Sequence, residues 1–183
     1  MTLGRSGLVA LGLPDIKGIK RFWALAPEEI QLSVNPYAYA AAGQDPLEVI
    51  AETSAKLESI VARLTPEQME SRPAPGKWNV REVLAHLADC EIAFSLRLRQ
   101  ARGGEPAIQP FDQDAWARPY GAYTAAQAVK TFAALRAWNM AFLSTLTEAE
   151  KHLPATHPER GAMTLWTIVE TMAGHDRHHL AKL

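Results

Sequence analysis

Residues 164–183 read TLWTIVETMAGHDRHHLAKL, and the spacing within them decides the fold. Thr164 is placed to cap a helix. Beyond it Leu165, Ile168, Met172, His175 and His179 recur at steps of three, four, three and four, the inward seam of a bundle helix. Residues four apart share a face, with Cβ atoms roughly 5–6 Å apart. His175 and His179 therefore stand side by side, as the pair does in the metal-binding H-E-x-x-H pattern. His178 lies about 100° round the helix and falls off the seam. The pair alone is weak evidence. The chain has six histidines, and a satisfied core histidine or one capping the helix end explains such a position equally well.

A second helix strengthens the pattern. Asn79 and Glu82 have capping-box spacing. Val83, Leu87, Cys90, Phe94 and Leu98 form the stripe that follows, and Gly103-Gly104 ends it. His86, one turn before Cys90, faces inward too. A buried unpaired imidazole costs free energy, and three inward histidines on two helices have one economical explanation, a shared metal. The candidate ligands are His86, His175 and His179, an open, catalytic-type set for Zn²⁺, Ni²⁺, Fe²⁺ or Mn²⁺. Cys90 would close that set if it ligated; the expectation is a small, inert, buried thiol.

Two further helices complete the chain. Asp45-Pro46 opens one whose seam is Leu47, Ile50, Ser54, Leu57, Val61 and Leu64. Thr124 and Gln127 open another, with Val129, Phe132, Leu135, Asn139, Phe142 and Leu146 inward. Glu105–Tyr123, with three prolines and four aromatics, has no period, and no strand pattern is visible anywhere. The expected fold is all-α, a four-helix bundle. The histidines set its topology. His86 is near the start of the second helix and His179 near the end of the fourth. They meet at one level only if those helices are antiparallel; parallel packing misplaces the pair by ~9 Å, six residues at 1.5 Å each. The bundle is therefore up-down-down-up, with Glu105–Tyr123 as a long crossover between helices 2 and 3 and the site near one end.

The chain of 183 residues is 48% apolar and 21% charged, with 19 basic and 20 acidic residues, so disorder throughout and binding to a polyanion such as nucleic acid are not expected. One cysteine and no apolar run near the ~18 residues of a membrane span point to a cytoplasmic setting. Residues 1–44 read as a poorly ordered extension or a misassigned start, with Val34 as the alternative first codon, and 45–183 as the domain. Glu91 and Asp176 are candidate acceptors for ligand N–H groups or proton carriers; Asp89 is expected to be solvated. Arg97, Arg136 and Arg177 either orient an anionic substrate or, as expected, pair with carboxylates. Asp112, Trp116 and Tyr120 either line a pocket mouth or simply pack.

Gly76-Lys77-Trp78-Asn79-Val80 followed by His86-Leu87-Ala88-Asp89-Cys90-Glu91 resembles the first motif of the DinB-like superfamily, and His175-Asp176 with His179 resembles its closing motif. Asp114-Ala115-Trp116-Ala117 is similar to the branch related to bacillithiol S-transferases. The resemblance implies an up-down-down-up bundle, a divalent metal on His86, His175 and His179, and a homodimer. It also implies thiol-dependent transfer or isomerisation with bacillithiol, mycothiol or glutathione. The function expected is a metal-dependent S-transferase acting on a small molecule with a low-molecular-weight thiol. The alternatives are a metal-dependent hydrolase, with Glu91 or Asp176 moving protons, and a non-catalytic dimeric stress-response bundle.

Overall fold

A computed structural model describes residues 34–183. The parts of the N-terminal reading that fall on residues 1–33, including most of the proposed extension, lie outside it. Four long helices make the bundle: α1 (Pro46–Arg63), α3 (Val80–Arg102), α5 (Ala125–Leu143) and α7 (Leu165–Leu180). Short α2 (Pro66–Glu70), α4 (Gln113–Ala117) and α6 (Glu148–Lys151) lie in the connections. The long helices begin where local chemistry starts them. Asp45 accepts from Leu47 N, and full capping boxes form at Asn79/Glu82, Thr124/Gln127 and Thr164/Thr167. No helix among the described residues is long and apolar enough to cross a membrane.

Side-chain pairs fix the directions. Glu91 with Asn139, and Arg102 with Thr145 just past the end of α5, advance together, so α3 and α5 are parallel. His86 meets His175, while Phe94 and Leu98 share a core cluster with Leu165 and Ile168, so α3 and α7 are antiparallel. Thr53 meets Asp176, and Ile50 lies in the cluster of Ile168 and Met172, so α1 runs with α7. The order is up-down-down-up. One core cluster fills the end holding Leu98 and Leu165 and the other the end holding Leu84 and Phe132.

Two local expectations need correction, the absence of strands and part of the seams. The segment before α7 holds a hairpin: β1 (Pro154–His157) pairs antiparallel with β2 (Gly161–Thr164), from Pro154 opposite Thr164 to His157 opposite Gly161. Gly161 turns the chain at φ +83°, a conformation open to glycine. Four-residue strands are too short to show a period. The hairpin also anchors the crossover: Thr156 N donates to Pro106 O (2.7 Å) and Ile108 N to Thr156 O (2.9 Å). On the seams, Thr53 is buried in place of Ser54, and Arg136 and Leu143 in place of Leu135 and Phe142. The burial of Arg136 has a physical cause, the ion network below.

Residues 34–44, the end of the predicted extension, pack on the bundle. Val34 and Asn35 are buried, and a 3₁₀ turn, Ala38–Ala40, lies against α7. Gly174 permits this approach: a Cβ there would fall 2.7 Å from Tyr37 Cβ.

Candidate metal centre

The helix positions that looked inward in the sequence converge near one end of the bundle. His86 is in the second turn of α3, and His175 and His179 are in the last turns of α7. All three are buried, at 1%, 4% and 8% exposure. Their ring centroids form a triangle with sides of 4.5 Å (His175–His179), 4.9 Å (His86–His179) and 5.1 Å (His86–His175). Nε2 of His86 lies 3.1 Å from Nε2 of His175. Two nitrogens held at 2.0–2.1 Å from one ion at a tetrahedral angle lie about 3.3 Å apart, so these two fit a common ion. Nδ1 of His175 and Nδ1 of His179 are buried with no hydrogen-bond partner among the described residues.

Burial holds the imidazoles neutral. Desolvation brings His86 down to about 4. Desolvation and then the neighbouring His86 bring His179 down to about 3. His175 is driven well below its usual value by desolvation, then by His179 and His86. Neutral imidazole is the ligand form. Cys90 Sγ lies 3.5 Å from His86 Nε2 and 3.8 Å from His175 Nε2, and its ligand atom groups with those of His86 and His175 more tightly than His179's does. Burial raises its thiol pKa, and the neighbouring Arg97 opposes that rise.

Aromatic rings wall the cluster: Trp78 packs on His86 (4.8 Å), and Tyr37 and Phe94 stand edge-on to His175 (5.1 and 6.0 Å). His178 lies off the seam, as its spacing requires, between Tyr39 Oη (2.7 Å) and Lys182 Nζ (2.6 Å).

Glu91 and Asp176 sit one residue along from Cys90 and His175 and point elsewhere. Arg136 Nη2 donates to Glu91 Oε1 (2.7 Å) and its Nη1 to Asp176 Oδ2 (2.6 Å) and Ile50 O (2.6 Å). Asn139 Nδ2 donates to Glu91 Oε2 (3.0 Å) and Thr53 Oγ1 to Asp176 Oδ2 (2.8 Å). None of their hydrogen bonds reaches an imidazole, and the half-buried Asp89 makes none to the cluster either. Arg136 thus takes the ion-pair role expected of it. Arg97 does not: among the described residues it has no carboxylate partner, and its Nη2 donates to Gln109 O (3.2 Å).

A pocket of about 140 Å³ opens beside the cluster, with His86, Cys90 and His175 in its wall. The crossover supplies Pro110, Phe111 and Gln113 to it, in place of the three residues singled out in the sequence. Asp112 caps α4, Trp116 stacks on Phe111 (4.5 Å), and Tyr120 is buried against Trp78 (5.8 Å). His157 and Arg160 of the hairpin, also in the pocket wall, carried no signal in the sequence, because only the unforeseen β1–β2 turn brings them there. A larger, open groove of about 610 Å³ along the outer side of α1 gathers no such donors.

The fold and the sequence both have relatives. The solved structure of YfiT from Bacillus subtilis, described as having an unusual four-helix bundle topology, superposes with a TM-score of 0.69 at 24% identity over 86% of this chain and 85% of that one. By sequence the chain is 30% identical to the YfiT of Bacillus subtilis over 75% of its own length and 79% of the relative's. It is also 30% identical to OB0782 of Oceanobacillus iheyensis over 69% and 75%. Both bear the name "putative metal-dependent hydrolase". The model of one family matches residues 50–183, which span the bundle and all three converging histidines, and the chain accordingly belongs to the DinB superfamily.

Proposed function

We propose that the chain is a metal-dependent enzyme that holds a divalent cation (Zn, Ni, Fe or Mn) on His86, His175 and His179, and that it transfers a low-molecular-weight thiol to a small electrophile. The observation that carries the metal is the triangle of buried, neutral imidazoles, two of them with a nitrogen that has no partner among the described residues. The names of the relatives support metal dependence. A divalent ion held there supplies a Lewis acid that lowers the pKa of a bound thiol or water. The chain's own contribution is to keep the rings unprotonated by burial and to shield them with Trp78, Phe94 and Tyr37. The choice of a thiol rests on the family resemblance, and one feature of the site suits it. No carboxylate among the described residues is bonded to the cluster, and a thiol needs less help than water to ionise.

Hydrolysis is the second reading, favoured by the relatives' names. A third concerns the ligands: the proximity of Cys90 to two imidazole nitrogens allows a set of His86, Cys90 and His175. One experiment separates these. Untagged protein is analysed for metal as wild type, His175→Ala, His179→Ala and Cys90→Ala. About one equivalent in wild type and Cys90→Ala, lost in both histidine variants, supports the three-histidine site. Loss in Cys90→Ala with retention in His179→Ala moves the site onto the thiol. Metal-free wild type that takes up none of the four ions overturns the metal reading. The loaded protein is then given glutathione or cysteine with an aryl halide, and separately an activated ester in water. Thioether formation that depends on His175 supports transfer; ester cleavage alone supports hydrolysis.

A further inference from the structure

The pocket beside the imidazoles has a second wall, and it is positive in a chain whose formal net charge is -1. Arg97 comes to it from α3 and Arg160 from the β1–β2 turn. Arg97 is 9% exposed, and its Nε is buried with no hydrogen-bond partner among the described residues. Phe94 and Phe111 flank its guanidinium at 5.9 and 5.7 Å, and one carbonyl, Gln109 O, accepts from Nη2. Arginine offers five donors in a planar fork, and burying them without an anion is costly. Elsewhere in this molecule that cost is met: Arg136 has two carboxylates. At Arg97 it is increased, since both burial and the charge of Arg160 lower its pKa. Glu159 lines the same pocket, but it is exposed and forms no ion pair with either arginine. Its backbone N–H donates to His157 Nδ1 (3.2 Å), which holds His157 against the turn.

We infer that Arg97 and Arg160 form an oxyanion-binding subsite, so that the substrate taken by this pocket is a small molecule bearing a carboxylate or phosphoryl group. The inference rests on the reading of His86, His175 and His179 as the reactive end of the same pocket, and it names the class of molecule admitted there. A planar fork held between two rings suits bidentate recognition of an oxyanion. The volume of about 140 Å³ equals roughly four or five waters at ~30 Å³ each. The enclosed part of the ligand is therefore a few heavy atoms, an acid group and a short stem.

The test is calorimetric titration of the full-length protein in a buffer free of carboxylate and phosphate, both as purified and after removal of metal. The probes are succinate, inorganic phosphate and neutral succinamide. The expected result is one-to-one binding of an oxyanion by the metal-free protein, at least tenfold tighter than succinamide. Binding should weaken tenfold or more in Arg97→Gln and in Arg160→Gln and be partly restored in Arg97→Lys. Arg160 is half-buried on a surface turn, so its variant reports on binding even if Arg97→Gln fails to fold. Preference for succinate supports a carboxylate substrate, and preference for phosphate a phosphoryl one. His175→Ala separates the two readings: arginine-dependent binding that persists in this variant supports the subsite whether or not metal is lost. The inference is overturned if neither oxyanion binds, if succinamide binds as well as succinate, or if Arg160→Gln leaves the affinity unchanged.

Discussion

Two polar clusters lie side by side inside this bundle, and they are built from adjacent residues. Glu91 follows Cys90 on α3 and Asp176 follows His175 on α7. In each case one helical step, about 100°, turns the first residue toward the imidazoles and the second toward Arg136. The Arg136 side is closed. Every carboxylate has a donor, and one cation serves two anions across three helices. The imidazole side is open: among the described residues its nitrogens have only one another, a thiol and aromatic rings for company. A paired cluster fixes the positions of helices. An unpaired one, set in the wall of a pocket, is arranged for something that arrives from outside. The closed network also serves the open one, because it pins the residue next to His175 on α7 and the residue next to Cys90 on α3.

Removing the cation should produce the largest effect. In Arg136→Met, two buried carboxylates lose their counter-charge, and the loss of stability should be about 3–5 kcal/mol, read from urea denaturation at pH 7. The loss should shrink as the pH falls, because Asp176 can then be neutralised by a proton. Burial already raises the Asp176 pKa, with Arg136 opposing that rise. A cost below about 1 kcal/mol would mean that the pairing does not hold the helices.

The open cluster should also lose stability as the pH falls, here because an imidazole takes up a proton. In metal-free protein the folded-state value of His86 is depressed to about 4 from 6.5. The unfolded chain therefore binds the proton first. The stability this histidine contributes is full above about pH 6.5 and is lost as the pH falls toward 4, by about 3 kcal/mol at the limit. The measurement is the pH dependence of unfolding for wild type minus that of His86→Leu. A difference that is flat between pH 7 and 4 would show that the imidazole is not desolvated.

The two clusters differ in how far the sequence revealed them. Capping signals are local, so Asn79/Glu82 and Thr124/Gln127 located helix starts that the structure reproduces. The three histidines were legible because spacing on α7 and level-matching with α3 are consequences of 3.6 residues per turn. The same logic gave the up-down-down-up order. The closed network was hidden. An apolar seam through α5 selects Leu135, since an arginine is rarely buried. Only carboxylates supplied by α3 and α7, far away in the chain, make Arg136 the better inward residue. Glu91 and Asp176 were singled out as acceptors for the imidazole site and Arg136 as an arginine that pairs with carboxylates, but nothing local matched the one to the others. The hairpin residues His157 and Arg160 stayed invisible for a related reason: a tertiary turn, with no period of its own, carries them to the pocket.

Between the open cluster and the solvent lies the segment around Tyr37, and Gly174 sharpens its role. A Cβ at position 174 would lie 2.7 Å from Tyr37 Cβ, closer than side chains tolerate. Gly174→Ala should cost about 2 kcal/mol, as overpacking does, and lift residues 34–44 from α7. Faster amide exchange or proteolysis in that segment, with the protection of α3 and α5 unchanged, is the expected readout. Uniform loss of protection would instead make the segment part of the global fold.

The smallest effect expected is at Thr53, and it tests how the closed network divides its work. The hydroxyl has one proton and two acceptors in reach, Asp176 Oδ2 at 2.8 Å and Val49 O at 3.0 Å. A bond to an ionised carboxylate is the stronger of the two, so the proton belongs on Asp176. Thr53→Val keeps the shape, removes that donor and leaves the Arg136 bond in place. Stability should fall by about 1 kcal/mol, and metal affinity should change by less than twofold, because Asp176 stays anchored by the guanidinium. A loss as large as that of Arg136→Met would place the weight of the network on the hydroxyl. No loss at all would put the proton on Val49 O, and Asp176 would then rest on Arg136 alone.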